Sequence, residues 1–293
     1  NSPAEPGPAS PENLQSFVMI LGIETSCDET AVAVIERGRT GRLTIRASVL
    51  TSQIATHRAF GGVVPEVAAR EHVTVILPMI RAALRQARVT LKHIDEIAVT
   101  SGPGLMAALS VGVETARALS WAANVPLLGV NHIEGHLAAN WIEVKPRLIR
   151  FPVLGLVVSG GHTELIAARR PGAWRLVGRT RDDAAGECFD KVSKVLGLEY
   201  PGGPIIARWA ERGNRTAFRF PRPMEKTPGY DFSFAGLKTS VLYFLQRRGW
   251  VGRPPKAALP DLCASFQQTV VDTLVQKSLR AVQALQPKTF LLA

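Results

Sequence analysis

The chain is 293 residues long, and 46% of its residues are hydrophobic and 20% charged. These values are ordinary for a globular protein, and the length allows one large domain or two of medium size. No apolar run approaches the roughly 20 residues that a membrane helix needs. The sequence therefore excludes membrane-spanning helices and favours a cytoplasmic protein.

The charge is strongly basic, with 35 Lys and Arg against 24 Asp and Glu, a formal net charge of +11. Such a surface suits a polyanion such as RNA, or it serves solubility. The surplus is concentrated between Arg208 and Lys256, where aromatic residues are interleaved: Trp209, Phe218, Phe220, Tyr230, Phe232 and Phe234. This pattern is typical of a surface that binds single-stranded nucleic acid. A solvated basic face above core aromatics explains it equally well.

The three cysteines are widely spaced and include no CxxC pair, which predicts reduced thiols in a cytosol-like compartment. Residues 1–17 begin with a stretch rich in Pro, Ser, Ala and Glu. This stretch has neither the apolar block of a signal peptide nor the Arg of a transit peptide. We predict a disordered tail there.

Two hairpins are predicted, one at the start of each half of the chain. Val18 to Glu24 and Ala31 to Glu36 are β-favouring runs separated by a polar turn. Val153 to Val158 and Glu164 to Ala168 repeat this pattern around a second turn. The repeat predicts duplicated halves, with an N-terminal lobe at 18–130 and a C-terminal lobe at 131–293.

Each half continues with alternating helices and strands. Helical spacing of apolar residues predicts a helix from Glu71 to Val89, and a strand from Ile97 to Thr100 leads into a second helix near Leu105. In the second half, a long helix from Leu262 to Leu285 precedes a strand at Thr289 to Leu292. Alternation of this kind predicts an α/β fold with buried sheets and ligands at strand ends.

His132 and His136 are four residues apart, so a helix would place both imidazoles on one face, close enough to share a metal ion. The spacing differs from that of zincins, in which Glu directly follows the first His, because Ile133 stands at that position and Glu134 points elsewhere. Two histidines are also fewer than the three or four protein ligands usual for a metal site. From the spacing alone, a metal pair and two structural histidines both remain open.

Three glycine-rich turns follow apolar runs, at 101–104, 159–161 and 201–204. Glycine lets the backbone approach an anion and direct N–H groups toward it, although each turn alone is more often a simple reversal of the chain. Acidic residues cluster in turns and at helix starts: Asp28, Glu29, Asp182, Asp183, Glu187 and Asp190. They either cap helices or bind a ribose or polar substrate group. No catalytic triad and no Walker loop is recognisable.

Eight motifs occur in a fixed order: GIETSCDET (22–30), GGVVPE (61–66), SGPGL (101–105), HIEGH (132–136), VSGGHT (158–163), DDAAGECFDK (182–191), YPGGP (200–204) and DFSFAGLK (231–238). Together they resemble the bacterial form of the TsaD family of threonylcarbamoyltransferases. The resemblance runs from about Leu21 to the last residue. It implies a two-lobed actin/Hsp70-like (ASKHA) fold.

The resemblance also implies an activity. A threonylcarbamoyl group passes from threonylcarbamoyl-adenylate to N6 of the adenosine 3′ of the anticodon, in tRNAs that read ANN codons. It further implies one divalent metal ion per subunit, iron or zinc, and partner subunits of the TsaB and TsaE types. A nucleotide-binding regulatory or scaffold protein of the same fold, or less favourably a metallopeptidase, is the alternative.

The resemblance assigns site residues by motif position. His132 and His136 match metal ligands, and the positions that match substrate contacts are Val157, Val158, Ser159, Gly160, Gly161, Asp190 and Gly203. Asp28 is our choice for a polar catalytic role. In the family, an Asn and an Asp that completes the metal site follow the strand at which this chain stops. A chain that ends at Ala293 is therefore expected to hold metal weakly and to lack activity.

Overall fold

The computed structural model describes residues 17–143 and 148–293. The predicted tail lies outside these residues except for Phe17, which begins the first strand one residue before the expected start. The described chain divides into two compact units. The first contains residues up to 51 and 69–130, and the second contains 52–68 and residues from 131 onward.

A five-stranded sheet forms the first unit. Its strands are β1 (Phe17–Glu24), β2 (Glu29–Gly38), β3 (Leu43–Ser52), β4 (Glu96–Gly102) and β5 (Leu127–Asn131), in the spatial order β3-β2-β1-β4-β5. β1 pairs antiparallel with β2 and parallel with β4. In β1, the alternate residues Met19, Leu21 and Ile23 are buried, as expected for a strand with one face on the core.

Three α-helices accompany these strands in the described chain up to residue 130, and the first of them, directly after β3, belongs to the second unit. They are α1 (Ile54–Arg58), α2 (Pro65–Ala87) and α3 (Met106–Ala123). α2 begins at Pro65, earlier than the predicted Glu71, because Pro is favoured in the first helical turn and Glu66 interacts well with the helix N-terminus.

From residue 131 onward, the described residues of the second unit form a four-stranded sheet and five helices. Its elements are α4 (His132–Glu143), β6 (Val153–Val158), β7 (Thr163–Ala168), β8 (Trp174–Arg179), α5 (Ala185–Val195), α6 (Gly202–Ala210), α7 (Ala235–Gln246), α8 (Leu259–Leu285) and β9 (Thr289–Leu292). The sheet order is β8-β7-β6-β9, with β6 antiparallel to β7 and parallel to β9. Within the described residues, no helix is both long and apolar enough to cross a membrane.

The two sheets repeat one arrangement. In each, the first strand lies between an antiparallel hairpin partner and a parallel strand that returns after a helix. This is the duplicated actin/Hsp70-like organisation, so the predicted fold class and both predicted hairpins are confirmed. β3 and β8, the third strand of each meander, were not predicted.

The aromatic residues of the basic segment belong to the core. Phe232 and Phe234 are fully buried, and Phe220 is 9% exposed. Trp209, Phe218 and Tyr230 pack against the same core cluster. The burial of Phe220, Phe232 and Phe234 favours the interpretation as core aromatics under a basic face, while Trp209, Phe218 and Tyr230 are only partly buried.

Candidate functional site

The two histidines of the HIEGH motif lie on one side of α4. His132 Nε2 and His136 Nε2 are 3.1 Å apart, and the ring centroids are 4.5 Å apart in an edge-to-face arrangement. Ile133 and Leu137, each one residue further along, are buried. The helix therefore packs through one stripe and presents the half-buried histidines on the adjacent stripe.

Local features fix the position of this helix. The side chain of Asn131 caps α4, because its Oδ1 accepts hydrogen bonds from the N–H groups of Ile133 at 2.9 Å and Glu134 at 3.2 Å. At Gly155, in the middle of β6, an added Cβ would overlap the fully buried side chain of Leu137. The absence of a side chain at Gly155 thus allows α4 to lie directly against β6.

This packing brings a third imidazole to the pair. His162 lies in the turn after β6, and its ring centroid is 5.5 Å from that of His132. Burial lowers the pKa of His162, and the neighbouring His132 and His136 lower it further. His162 was not among the residues that the motifs assign, because its proximity to His132 depends on the packing of α4 against β6.

The histidine pair fits a metal ion by its donor chemistry. Ligand distances of about 2.0–2.1 Å, as zinc makes to imidazole nitrogen, place two ligand nitrogens roughly 3 Å apart. The separation of 3.1 Å between His132 Nε2 and His136 Nε2 agrees with this value. In the part of the chain that the structure describes, no group of three or more His, Cys, Asp or Glu side chains could hold a metal.

The glycine turn between β6 and β7 is closed by its own serine. Ser159 N–H donates to His162 O at 2.8 Å, and Ser159 Oγ accepts from the N–H of His162 at 3.0 Å and of Gly161 at 3.3 Å. Gly160 and Gly161 are exposed, and an added Cβ on either would meet nothing within 4 Å. The backbone is therefore fixed and approachable, as binding an anion or a polar ligand requires.

The valines that precede the turn are fixed by packing. Val157 is fully buried and belongs to the core beside α4. Val158 packs against the other core cluster of the unit, and its N–H donates to Ala293 O at 2.8 Å. The packing of these two side chains thus fixes the position of the turn that follows them.

Asp190 and Gly203, two further positions from the motifs, lie together at the start of α6. Asp190 Oδ1 accepts a hydrogen bond from Gly202 N–H at 2.7 Å. An added Cβ would crowd Asp190 Cα at Gly202, whereas it would meet nothing within 4 Å at Gly203. Gly202 therefore serves packing, and Gly203, the next residue, has open space where a side chain would stand.

An open cavity of about 630 Å³ adjoins the glycine turn. Its lining is mostly polar and consists of Gly161, His162, Thr163, Glu164, Arg179, Thr180, Arg181, Asp182 and Asp231. Burial raises the pKa of Glu164, and Arg179, its cross-strand partner on β8, opposes that change. The cavity offers space for a polar group extending from the turn.

Several of the predicted acidic candidates have structural partners. Asp182 Oδ1 accepts from the N–H groups of Phe234 at 2.7 Å and Ala235 at 3.1 Å, which caps α7. Burial acts to raise the pKa of Asp182, but these bonds and one from Ser233 outweigh it, so the pKa is lowered. Lys191 forms ion pairs with Asp183 and Glu187. For these three acids the structure favours the capping and pairing interpretation.

The SGPG turn of the first unit is engaged in packing. A Cβ on Gly104 would lie 2.6 Å from the backbone oxygen of Ser26, which also accepts a hydrogen bond from Leu105 N–H at 2.8 Å. Thr25 Oγ1 donates to Ala108 O at 2.9 Å. The turn thus holds the loop between β1 and β2 instead of presenting an open cradle.

Asp28 lies in that loop, which a buried histidine also fixes. His72 is fully buried, and its Nε2 donates to Cys27 O at 2.9 Å, so Nδ1 accepts from Thr30 Oγ1 at 2.7 Å. The neighbouring Glu29 has a raised pKa because of burial and the nearby charges of Asp28 and Glu24. Asp28 therefore stands in a rigid, acidic loop.

Comparison with known proteins agrees with the ordered motifs. Residues 44–293 match the family described as TsaD, tRNA N6-adenosine threonylcarbamoyltransferase. Proteins of that description are 52% identical in Anaeromyxobacter dehalogenans (94% of this chain, 79% of the relative) and 49% identical in Bacillus cereus (96% and 79%). Among solved structures, YeaZ from Pseudomonas aeruginosa is 17% identical with a TM-score of 0.37, over 82% of this chain and 97% of that one, a likeness too distant to bear on function.

The family match and the relatives at about half identity cover nearly the whole described sequence. They include every motif that builds the site, from the histidines of α4 to the glycines of α6. The chain belongs to the TsaD family of tRNA N6-adenosine threonylcarbamoyltransferases.

Proposed function

We propose that this protein transfers a threonylcarbamoyl group from threonylcarbamoyl-adenylate to N6 of the adenosine 3′ of the anticodon, in tRNAs that read ANN codons. The N6 amine attacks the carbamoyl carbonyl carbon, a C–N bond forms, and the C–O bond to AMP breaks. The amine loses one proton. The leaving group is already activated, so catalysis requires positioning and charge stabilisation more than a protein nucleophile.

One observation carries the proposal: the histidine pair of α4 and the open glycine turn after β6 lie side by side in a member of this family. The ring of His162, in the turn, is 5.5 Å from that of His132, on the helix. Gly160 and Gly161 would let the adenylate approach the backbone. Asp190 and Gly203 offer a carboxylate and open space for the ribose.

We propose that His132 and His136 hold one divalent ion, iron or zinc, in the assembled enzyme. When bound, such an ion polarises the carbonyl that is attacked. The protein's own contribution is to aim two imidazole nitrogens at one point, 3.1 Å apart. Asn131, Leu137 and Gly155 maintain that aim through the cap and the packing of α4 on β6.

Asp28 is proposed for a polar catalytic role. The loop that carries it is fixed on both sides by Thr25 and His72. An Asp28→Asn variant keeps the size of the side chain and removes its charge. We expect a loss of transfer of at least about 100-fold, the lower end of the range that positioned acid–base groups contribute, with the thermal unfolding midpoint unchanged. Equal transfer by both proteins would remove Asp28 from the reaction.

We also propose that the protein works in the cytoplasm with subunits of the TsaB and TsaE types and binds the tRNA anticodon loop. Family membership supports these partners. The metallopeptidase and scaffold alternatives are not favoured, because relatives at about half identity carry the transferase description.

The test is transfer of radiolabelled threonylcarbamoyl from the adenylate to tRNA by the full-length protein with its partner subunits. We expect label in a tRNA that reads ANN codons and none in a tRNA that does not. An Asp190→Asn variant retains an acceptor oxygen for Gly202 N–H, so it should fold normally. It should bind the adenylate more weakly by a factor of about 10, near the lower end of the range for a lost hydrogen bond to a charged group.

Two outcomes would contradict the proposal. If the protein binds the adenylate but transfers no label to any tRNA, the result supports the scaffold alternative. If His132→Ala and His136→Ala leave both bound metal and transfer at wild-type levels, the metal assignment is wrong. A Glu134→Ala variant, on the same helix but outside the pair, is the matched control.

A further inference from the structure

Two segments of the second unit carry basic residues with no acidic residue among them. Residues 212–224 include Arg212, Arg215, Arg219 and Arg222, and residues 232–260 include Lys238, Arg247, Arg248, Arg253 and Lys256. Neither segment contains Asp or Glu. A local excess of this size raises the positive potential wherever the two segments meet.

The structure brings the two segments together through their aromatic residues. The rings of Phe218 and Phe244 are 5.0 Å apart, and those of Phe220 and Phe244 are 5.6 Å apart. Arg219 stands between the two phenylalanines of the first segment and is exposed. Phe220 is buried and Phe218 and Phe244 are half-buried, so these contacts form an aromatic base beneath the charged surface.

Arg248 lies on this base in a defined orientation. Its guanidinium carbon is 3.9 Å from the centroid of the Phe244 ring and 5.6 Å from that of Trp250. Stacking on an aromatic face restricts the side chain while leaving the N–H groups at its edge available. Arg253 follows closely, because its N–H donates to Trp250 O at 3.0 Å.

We name Arg219, Arg247, Arg248 and Arg253 the arginine face. All four are exposed, and within the described residues none of them forms an ion pair with a carboxylate. Arg222, in contrast, pairs with Glu225 and Asp272 and is excluded from this set. The protein therefore leaves the charge of the arginine face uncompensated, next to a stacked and oriented guanidinium.

We propose that the arginine face binds phosphate groups of the tRNA backbone. This inference rests on the proposed function for its ligand. Planar guanidinium groups match phosphate oxygens, and a polyanion gains affinity by releasing its counterions. The rings of this base already contact one another or the Arg248 guanidinium, so the contacts that we propose are to the backbone and independent of sequence.

The test measures tRNA binding by the full-length protein across a range of salt concentrations. The variant replaces all four residues of the arginine face by Gln. The matched control removes the same charge from exposed positions of the β2–β3 hairpin: Arg37, Arg39, Arg42 and Arg46. We expect the variant to bind at least about 10-fold more weakly near 100 mM salt and to show a shallower salt slope, by roughly 0.7–0.9 for each lost phosphate contact.

A single-residue variant tests the stacked guanidinium. Arg248→Lys keeps the charge and removes the planar group, so we expect weaker binding by about threefold with the salt slope preserved. Equal thermal unfolding midpoints for all variants would show that the fold is intact.

The proposal is overturned if the Gln variant keeps wild-type affinity and slope, or if the hairpin control loses as much binding as the variant. Binding to phosphatidylserine vesicles or to polyglutamate as tight as to tRNA would also overturn it, in favour of a membrane or an acidic protein. Failure of the transfer reaction is distinct. If the wild-type protein binds tRNA through the arginine face but transfers no label, the proposed function is contradicted and the proposed role of the arginine face is still supported.

Discussion

Gly104 offers a sharp test of the packing that holds the Asp28 loop. A Cβ at this position would lie 2.6 Å from Ser26 O, 2.9 Å from Ser26 Cβ and 3.1 Å from Ser26 Cα. Carbon normally approaches such atoms to about 3.5 Å. Two of the three obstacles are backbone atoms, so no side-chain rotation can relieve the overlap.

Gly104→Ala should therefore displace the loop between β1 and β2 or the start of α3. Overpacking of this kind costs about 1–3 kcal/mol, and the lower entropy of the unfolded chain returns about 0.4–1 kcal/mol. The net loss is about 1–2 kcal/mol. For a unit of this size, each kcal/mol shifts the thermal unfolding midpoint by about 4–8 °C, so we expect a fall of about 4–16 °C.

Gly22→Ala is the matched control, because it places a Cβ opposite another backbone oxygen, Ala33 O, at an ordinary 3.9 Å. Its unfolding midpoint should equal or exceed that of the wild type. Differential scanning fluorimetry and circular dichroism on the full-length protein measure both variants. A Gly104→Ala protein that is as stable as the Gly22→Ala protein would refute the conclusion that the SGPG turn serves packing.

Three further changes have defined outcomes. Gly155→Ala should destabilise the protein by about 1–3 kcal/mol through overlap with Leu137. The double variant Gly155→Ala/Leu137→Ala should be destabilised by less than the sum of the two single variants, as measured by a double-mutant cycle in denaturant. Asp182→Asn should lower stability at pH 7 by about 1 kcal/mol. The folded-state pKa of Asp182 is lowered, so its carboxylate stabilises the fold fully above the unfolded pKa of about 3.9. The stability difference between variant and wild type should therefore shrink as the pH falls through the folded-state pKa. His72→Gln can still donate a hydrogen bond to Cys27 O, whereas His72→Ala leaves that carbonyl without this donor and creates a cavity. Thermal unfolding should therefore show a smaller loss of stability for His72→Gln than for His72→Ala.

Patterns of short range predicted much of the fold. The β-favouring runs Val18 to Glu24 and Val153 to Val158, each followed by a turn and a second β-favouring run, indicated the two hairpins, and both are present. The third strands were missed because β3 and β8 have weak patterns: in β8, Arg175 and Leu176 are both exposed. Such a strand is specified by its partner more than by its own sequence.

The site was less accessible to sequence reasoning, because its parts meet only through tertiary packing. His162 approaches His132 because α4 lies against β6 at Gly155, a contact that no spacing rule describes. The aromatic residues between Arg208 and Lys256 were ambiguous for a similar reason. The sequence of a basic segment does not distinguish a Phe that stacks on a nucleobase from a Phe that packs in the core.

The two hairpin turns show how duplicated elements acquire different roles. In the first unit the glycines lie opposite the turn: a Cβ on Gly104 would meet the backbone of Ser26, and one on Gly112 would overlap the side chain of Thr25, so the turn is enclosed by its neighbours. The second-unit turn is packed in the same way, because a Cβ on Gly186 would lie 2.7 Å from Ser159 O and 2.8 Å from Gly160 Cα. It differs in carrying two exposed glycines of its own, Gly160 and Gly161, at which a Cβ would meet nothing within 4 Å. A glycine that faces a neighbour serves packing, whereas a glycine beside open space leaves room for a ligand. This difference supports the proposal that the β6–β7 turn binds substrate.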